Sequence, residues 1–255
     1  MSGYGDFASF YDALMTDVDY AARAAYLLSL FERHGTRPRT VLDIACGSGS
    51  LCAEFLKHGV DPIGVDASES MLMCAREKLG AEVLLLEQDM CNMDLYGTVD
   101  GAVCILDSLN HLCKTAQLAA VFNRARLFIE PNGLFIFDVN TPYKHREVLE
   151  NHTFVTESDD MMCVWRNRYC KRTGEVAMQL DFFVEETADT YTRYVESVRE
   201  RAYSENTLRR LLQQNGFETV AVYADMTFEA PAPDCERWVF VARSTRTAEQ
   251  AKRGE

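Results

Sequence analysis

At 255 residues, with 47% hydrophobic and 25% charged side chains, the chain suits one large α/β domain, or one domain carrying a modest insertion. Such a length buries a sizeable core without disulfide or metal staples. The formal net charge of −13 argues against a nucleic-acid partner, which needs a basic surface to displace phosphate counterions, although a local basic patch within an acidic whole is compatible with the figure. Residues 1–36 read as helical: Phe7, Phe10, Tyr11, Leu14, Met15 and Val18 recur at helical spacing, and residues 20–34 repeat the pattern until Pro38 closes it. A short buried strand over 40–45 enters Gly47-Ser48-Gly49, and 51–58 resumes as helix until Gly59. Residues 61–66 form the next strand, Ser68 caps a helix over 69–79, and strands follow at 83–88 and 102–106. Thr115 is expected to cap a helix reaching about Phe128, and Pro131-Asn132-Gly133 to turn into the apolar strand 134–139.

Alternating strands and helices over some 140 residues predict a parallel sheet covered on both faces. From 153 to 202 the period changes to two. Val176, Met178, Leu180, Phe182 and Val184 share one face of a strand preceded by a turn over 171–174, the pattern of a small antiparallel sheet inserted as a lid. Helix returns over 204–214, with Leu208, Leu211 and Leu212 on one face and Gly216 closing it, before the last strands at 218–224 and 237–242. The expected organisation is therefore a main domain over 1–152 and 203–243, an inserted sheet over 153–202, and a frayed polar tail over 244–255. The nine cysteines form no Cys-x-x-Cys pair and several sit in apolar runs, so they read as reduced thiols rather than metal ligands, and no metal site is expected. Residues 1–6 show no signal-peptide pattern and no run of 18 apolar residues occurs, so a cytoplasmic protein without a membrane partner is expected.

The strongest motif is Val41-Leu42-Asp43-Ile44-Ala45-Cys46-Gly47-Ser48-Gly49, a buried strand feeding a two-glycine turn at a helix N-terminus, where backbone can approach a ligand closely. Dinucleotide enzymes place a third glycine where this chain has Cys52. Asp43, four residues before Gly47, would repel a pyrophosphate but attract an ammonium or sulfonium group; the competing reading makes it a turn cap. Gly64-Val65-Asp66 puts a second carboxylate 17 residues beyond Gly49, where it can accept hydrogen bonds from both hydroxyls of a ribose or, alone, cap a helix. Glu87-Gln88-Asp89-Met90 adds a third. Asp89 could accept from an adenine amino group and Met90 could offer its backbone nitrogen and an apolar wall, although as isolated residues they read as a solvated loop. Three successive strands are each expected to end in an aspartate, which matters because open α/β sheets bind ligands outside those carboxyl ends.

Taken together these motifs resemble those of class I S-adenosylmethionine-dependent methyltransferases, in a register covering residues 5–243. Residues 4–20 and Asp107-Ser108-Leu109-Asn110-His111 look most like the YqeM-type bacterial branch, which is similar in plan to sugar N,N-dimethyltransferases and glycine N-methyltransferase. The resemblance implies a Rossmann-like seven-stranded sheet with an amino-terminal helical cap, binding S-adenosyl-L-methionine and releasing S-adenosyl-L-homocysteine. It implies that Gly47 and Gly49 bracket the methionine part, Asp66 holds the ribose, Asp89 meets the adenine, Met71 lies against the purine and Leu106 contributes its backbone, with Ala67 also in the cofactor site. Tyr11 and Tyr20 would close over the methionine end. Ala45 stands where the family commonly has the first glycine of its turn, a mild departure.

The fourth strand delivers residues 107–111 to the place where a methyl acceptor should sit, without the Asn/Asp-Pro-Pro-Tyr tetrapeptide of the amide-methylating enzymes. His111 is a candidate general base, since an imidazole titrates near neutrality; the alternative is that it orients the acceptor or packs under the lid. Tyr11 and His111 are the candidates for the reacting centre, with Tyr143 and Arg146 behind them. The expected function is methyl transfer to a small-molecule amine or hydroxyl, driven mainly by proximity. An NAD-dependent oxidoreductase is disfavoured by Asp43 and the missing third glycine, and an RNA methyltransferase by charge. A non-catalytic cofactor-binding protein and a homodimer both stay open.

Overall fold

The computed structural model describes residues 18–158, 161–187 and 190–253. The first expected helical run, Tyr11 included, lies outside them.

The described chain opens with helix α1 (Tyr20–Arg33), whose first turn is capped by Asp19 accepting from the Ala22 N–H at 2.8 Å. There follow β1 (Thr40–Ile44), α2 (Ser50–Lys57), β2 (Asp61–Asp66), α3 (Glu69–Leu79), β3 (Leu84–Glu87), β4 (Val99–Cys104), a 3₁₀ turn (Ser108–His111), α4 (Thr115–Phe128) and β5 (Ile129–Asn140). A single π turn (Lys144–Val148) leads to β6 (Thr153–Glu157), β7 (Met161–Cys170), β8 (Glu175–Thr187) and β9 (Thr190–Arg201). The chain then returns through α5 (Glu205–Gln214), β10 (Phe217–Ala224), β11 (Arg237–Ser244) and α6 (Ala248–Arg253).

Seven strands form one sheet in the order β10-β11-β5-β4-β1-β2-β3, with β1 to β5 parallel and β11 antiparallel to both neighbours. Its central strands are buried on both faces, so their apolar residues run continuously and alternate sides. Phe135, Phe137 and Val139 of β5 meet α4 and α5, with Phe137 stacked on Phe240 at 5.1 Å between ring centroids. Leu134 and Ile136 point the other way, onto a cluster with Leu27, Leu30 and Phe31 of α1 and Phe55 of α2. Gly101 of β4 is required there: a Cβ at that position would run into the Phe31 ring.

The remaining strands form an antiparallel meander, β6-β7-β8-β9. On β8 the expected face holds, with Val176, Met178 and Phe182 buried and Leu180 and Val184 half-buried. The two sheets are stitched at the carboxyl edge of the first. The Asn110 side chain donates to the Asn140 carbonyl (3.1 Å) and the Arg201 carbonyl (3.0 Å) and accepts from the Asn140 N–H (2.9 Å), while Tyr203 donates its hydroxyl to the Leu112 carbonyl.

Four local expectations need correction. Lys114, not Thr115, stands at the α4 cap; its N–H is satisfied by the Gln117 side chain at 3.2 Å, and Thr115 begins the helix. Strand β4 ends at Cys104 rather than Leu106, because Leu106 and Asp107 adopt left-handed backbone (φ 56° and 54°) that breaks the extended run. The Pro131-Asn132-Gly133 turn is a bulge inside β5: Val99 pairs with Ile129 and Gly101 with Leu134, so residues 130–133 oppose Asp100 alone. Within the expected frayed tail, Ser244 ends β11, Arg246 is buried and donates to the Leu127 carbonyl, and α6 covers Ala248–Arg253. Among the described residues no helix is long and apolar enough to cross a membrane.

Candidate active site

The chain order reverses between β1 and β4, and open α/β sheets leave a crevice outside the carboxyl ends of strands at such a point. Here that crevice is lined by Tyr20, Asp43, Ala45, Cys46, Gly47, Leu51, Ile105, Leu106 and Ser108. Five of the expected cofactor residues therefore share one cleft.

Its floor is the glycine turn. Ala45, Gly47 and Gly49 all have positive φ (60°, 54° and 75°), so the turn carries three left-handed residues, and only alanine pays for that, at about 1–2 kcal/mol. A Cβ at Gly47 would meet no atom within 4 Å among the described residues, which leaves the backbone open to a ligand. Gly49 serves packing instead: its Cβ would lie 2.7 Å from Leu79 Cδ1 and 3.1 Å from the Ala75 Cβ. Asp66 fastens the turn from β2, accepting from the Gly47 N–H at 2.9 Å through Oδ2 and from the Ser68 N–H at 2.8 Å through Oδ1. Each oxygen keeps a second acceptor position.

Asp43 lies under the turn, 1% exposed, and accepts a hydrogen bond from the Cys52 thiol at 3.3 Å. Burial pushes its carboxyl up to about 7, helped by the Asp66 charge and opposed by the Cys52 hydrogen bond. A buried carboxylate whose one donor among the described residues is a thiol suits a cation as its partner.

The other expected contacts continue along the same edge, outside the cleft lining. Ala67 is exposed just after Asp66, and Met71 is buried in the first turn of α3, where the Ser68 hydroxyl accepts from its N–H at 3.3 Å. Gln88 donates its N–H to the Asp66 carbonyl at 2.9 Å, which brings the β3 end beside the ribose candidate. Asp89 is exposed and accepts from the Cys91 N–H at 2.7 Å; Met90 is half-buried against the core.

The turn after β4 rests on residues that the motif pattern does not flag. Asp138 of β5 accepts from the Leu106 N–H (2.9 Å) and the Asp107 N–H (2.7 Å), holding both left-handed residues in place. Arg237 of β11 bridges Asp138 and Asp107, at 2.6 Å each, and lies 3.9 Å from Asp225, which Arg23 of α1 binds through both guanidinium arms at 3.0 and 3.2 Å. Burial alone would raise the Asp107 carboxyl, but Arg237, with Lys144 and His111, outweighs it and holds it well below the carboxylate range. One signal was available in the sequence: Asp138 is the lone charge in the apolar stretch 134–139.

His111 sits exposed on the 3₁₀ turn, close to Asp107 and to buried Glu200 of β9. Glu200 accepts from the Asn140 side chain and pairs with His145, both at 3.1 Å. Of the weaker candidates, Tyr143 is half-buried beside this cluster's π turn, whereas Arg146 is exposed and paired with Glu147 at 2.5 Å.

The sequence comparisons agree with this geometry. Residues 41–133 match the profile of a methyltransferase domain. A protein of Geobacillus sp. (strain WCH70) named as a methyltransferase is 30% identical over 244 residues, covering 94% of this chain and 99% of its own length. The chain belongs to the S-adenosylmethionine-dependent methyltransferases.

The methyltransferase is also 29% identical to YqeM of Bacillus subtilis (strain 168), over 96% of this chain and 98% of that one. Its fold superposes on an S-adenosylmethionine-dependent methyltransferase from Clostridium acetobutylicum ATCC 824 with a TM-score of 0.86 at 27% identity, covering 95% of this chain and 99% of that one. Over 52% of its length it is 29% identical to a dTDP-3-amino-3,6-dideoxy-alpha-D-glucopyranose N,N-dimethyltransferase of Streptomyces fradiae, 53% of which is covered.

Proposed function

We propose that this methyltransferase acts on a small-molecule amine, held between the turn after β4 and the inserted sheet. The observation that carries this reading is the join between the two sheets. Asn110 and Asn140 join the second sheet to the turn after β4 that borders the cleft, and the carboxylates of Asp107 and Glu200 cluster at that join, which supports an acceptor side there. In a chain of net charge −13, that lining favours a cationic amine over a polyanion. The likeness to an aminosugar N,N-dimethyltransferase points the same way.

Bound S-adenosylmethionine supplies a methyl group already activated on a sulfonium. The protein's part is alignment and exclusion of water. In this reading the open backbone at Gly47 admits the methionine part, Gly49 holds the turn against α3, and Asp43 faces the ammonium. Asp66 with Ala67 takes the ribose hydroxyls, Met71 and Met90 flank the purine, Asp89 meets the adenine amino group, and the Leu106 backbone closes the floor. Tyr20 lines the cleft where the methionine end would lie. Tyr11 is assigned beside it by family resemblance alone. His111 orients the acceptor.

Asp43 makes the donor half testable by pH. Its raised pKa means that the unliganded fold holds this proton more tightly than the unfolded chain, so its contribution to stability falls as pH climbs from about 4 to about 7. An ammonium beside it restores the ionised form. Binding of S-adenosylhomocysteine at about pH 6 should therefore release close to one proton, and affinity should rise with pH until about 7. Titration calorimetry in buffers of different ionisation heat reads that proton directly. Asp43→Asn should abolish the release; wild-type binding without it would contradict the assignment.

The acceptor half is tested by incubating the protein and S-adenosylmethionine with a panel of primary and secondary amines, and separately with hydroxyl compounds and total RNA. Homocysteine-product release with an amine is expected. Methyl incorporation confined to RNA would overturn the proposal.

A further inference from the structure

We propose that Asp107, His111 and Glu200 form a divalent-cation site on the acceptor side of the cleft. One ligand atom from each lies within 4.8 Å of the other two. Metal–oxygen and metal–nitrogen bonds of about 2.0–2.2 Å separate ligands by up to roughly 4.4 Å, so a small inward shift closes the set. The three residues come from elements far apart in sequence, brought together by the Asn110 stitch between the sheets.

Both carboxylates are fixed from behind, as metal-binding carboxylates commonly are. Arg237 occupies Oδ1 of Asp107, and Asn140 with His145 occupies Oε2 of Glu200. Among the described residues, these contacts leave Oδ2 of Asp107 and Oε1 of Glu200 open. The His111 imidazole forms no hydrogen bond among the described residues and is exposed, so it can swing onto a cation while leaving open positions towards the cleft. The groups facing the site are the Arg237 guanidinium and Lys144 on Asp107, and the His145 imidazole on Glu200. Two carboxylate oxygens and one imidazole nitrogen suit Mn²⁺, Fe²⁺ or Zn²⁺ better than a soft monovalent ion.

The site would give an acceptor with a second donor atom, such as an amino alcohol or a hydroxy amino acid, a fixed anchor beside the methyl-receiving nitrogen. That role rests on the proposed acceptor position; the binding of the cation does not.

The test is a Mn²⁺ titration of the full-length, chelator-stripped protein, followed by loss of the free-ion electron paramagnetic resonance signal, with no acceptor present. A single saturable site is expected. His111→Ala, a change at an exposed residue, should weaken it at least about tenfold. Glu200→Gln should do the same, with circular dichroism confirming that this buried variant is folded. Absence of saturable binding to the wild type, or a His111→Ala dissociation constant within twofold of it, would overturn the proposal. Because no acceptor enters the measurement, its outcome is independent of the amine panel.

Discussion

Replacing Arg237 with alanine is expected to cost about 3–5 kcal/mol of folding stability, the range for breaking a buried ion pair from one side. The reason is what the substitution leaves behind. Asp138 is 1% exposed and would keep its two backbone donors but lose its guanidinium partner, and Asp107 would lose the charge that holds its carboxylate ionised in a buried turn. For a chain of this size each kcal/mol is worth about 2–4 °C, so the melting temperature should fall by roughly 6–20 °C. Arg237→Lys should recover little, because a single ammonium cannot bridge two carboxylates as the planar fork does. Thermal unfolding followed by circular dichroism measures both. A loss for Arg237→Ala below about 1 kcal/mol would show that the network contributes no more than an exposed ion pair.

The second large effect is on cofactor affinity. Asp66→Ala should weaken S-adenosylhomocysteine binding by about 10²–10⁴-fold, the equivalent of two charge-assisted hydrogen bonds of about 1.5–3 kcal/mol each. Asp66 also pins the Gly47 and Ser68 N–H groups, so some loss could come from a loosened turn. A 2′-deoxy analogue of the ligand separates the two effects. It should bind the wild type much more weakly than the parent ligand does, and bind Asp66→Ala no more weakly than the parent does. Equal discrimination by both proteins would remove Asp66 from the ribose.

These two predictions also show which parts of the molecule were legible in the sequence. The placement of Asp66 beside the glycine turn was, because its signal is local: a strand, an acidic end and a glycine turn at fixed spacing. The helix over 69–79 was equally plain, since Ser68 is an N-cap written beside the apolar period it starts. The β8 face followed from a strict alternation of side chains. Arg237 was not legible, because its partners Asp107 and Asp138 lie 130 and 99 residues away and meet it only after the sheet forms. The Glu200 cluster was hidden for the same reason. Asn140 lies 60 residues from Glu200, and Asn110 lies 91 from Arg201. The misplaced end of β4 has a subtler cause. Leu106 looks like a strand residue, but Asp138 accepts from its N–H and from that of Asp107, which both adopt left-handed backbone. The tail was read on polarity alone: Arg246 is polar, but its guanidinium donates to main-chain carbonyls of α4 and of α6 itself.

The central claim is that donor and acceptor meet at the carboxyl edge between β1 and β4, with the inserted sheet on the acceptor side. A crystal structure with S-adenosylhomocysteine bound tests it most directly. The account predicts the ribose on Asp66, the amino group towards Asp43, and the sulfur facing the side of the cleft where Asp107, His111 and Glu200 cluster. A ligand whose ribose avoids Asp66, or whose sulfur faces away from that cluster, would contradict it.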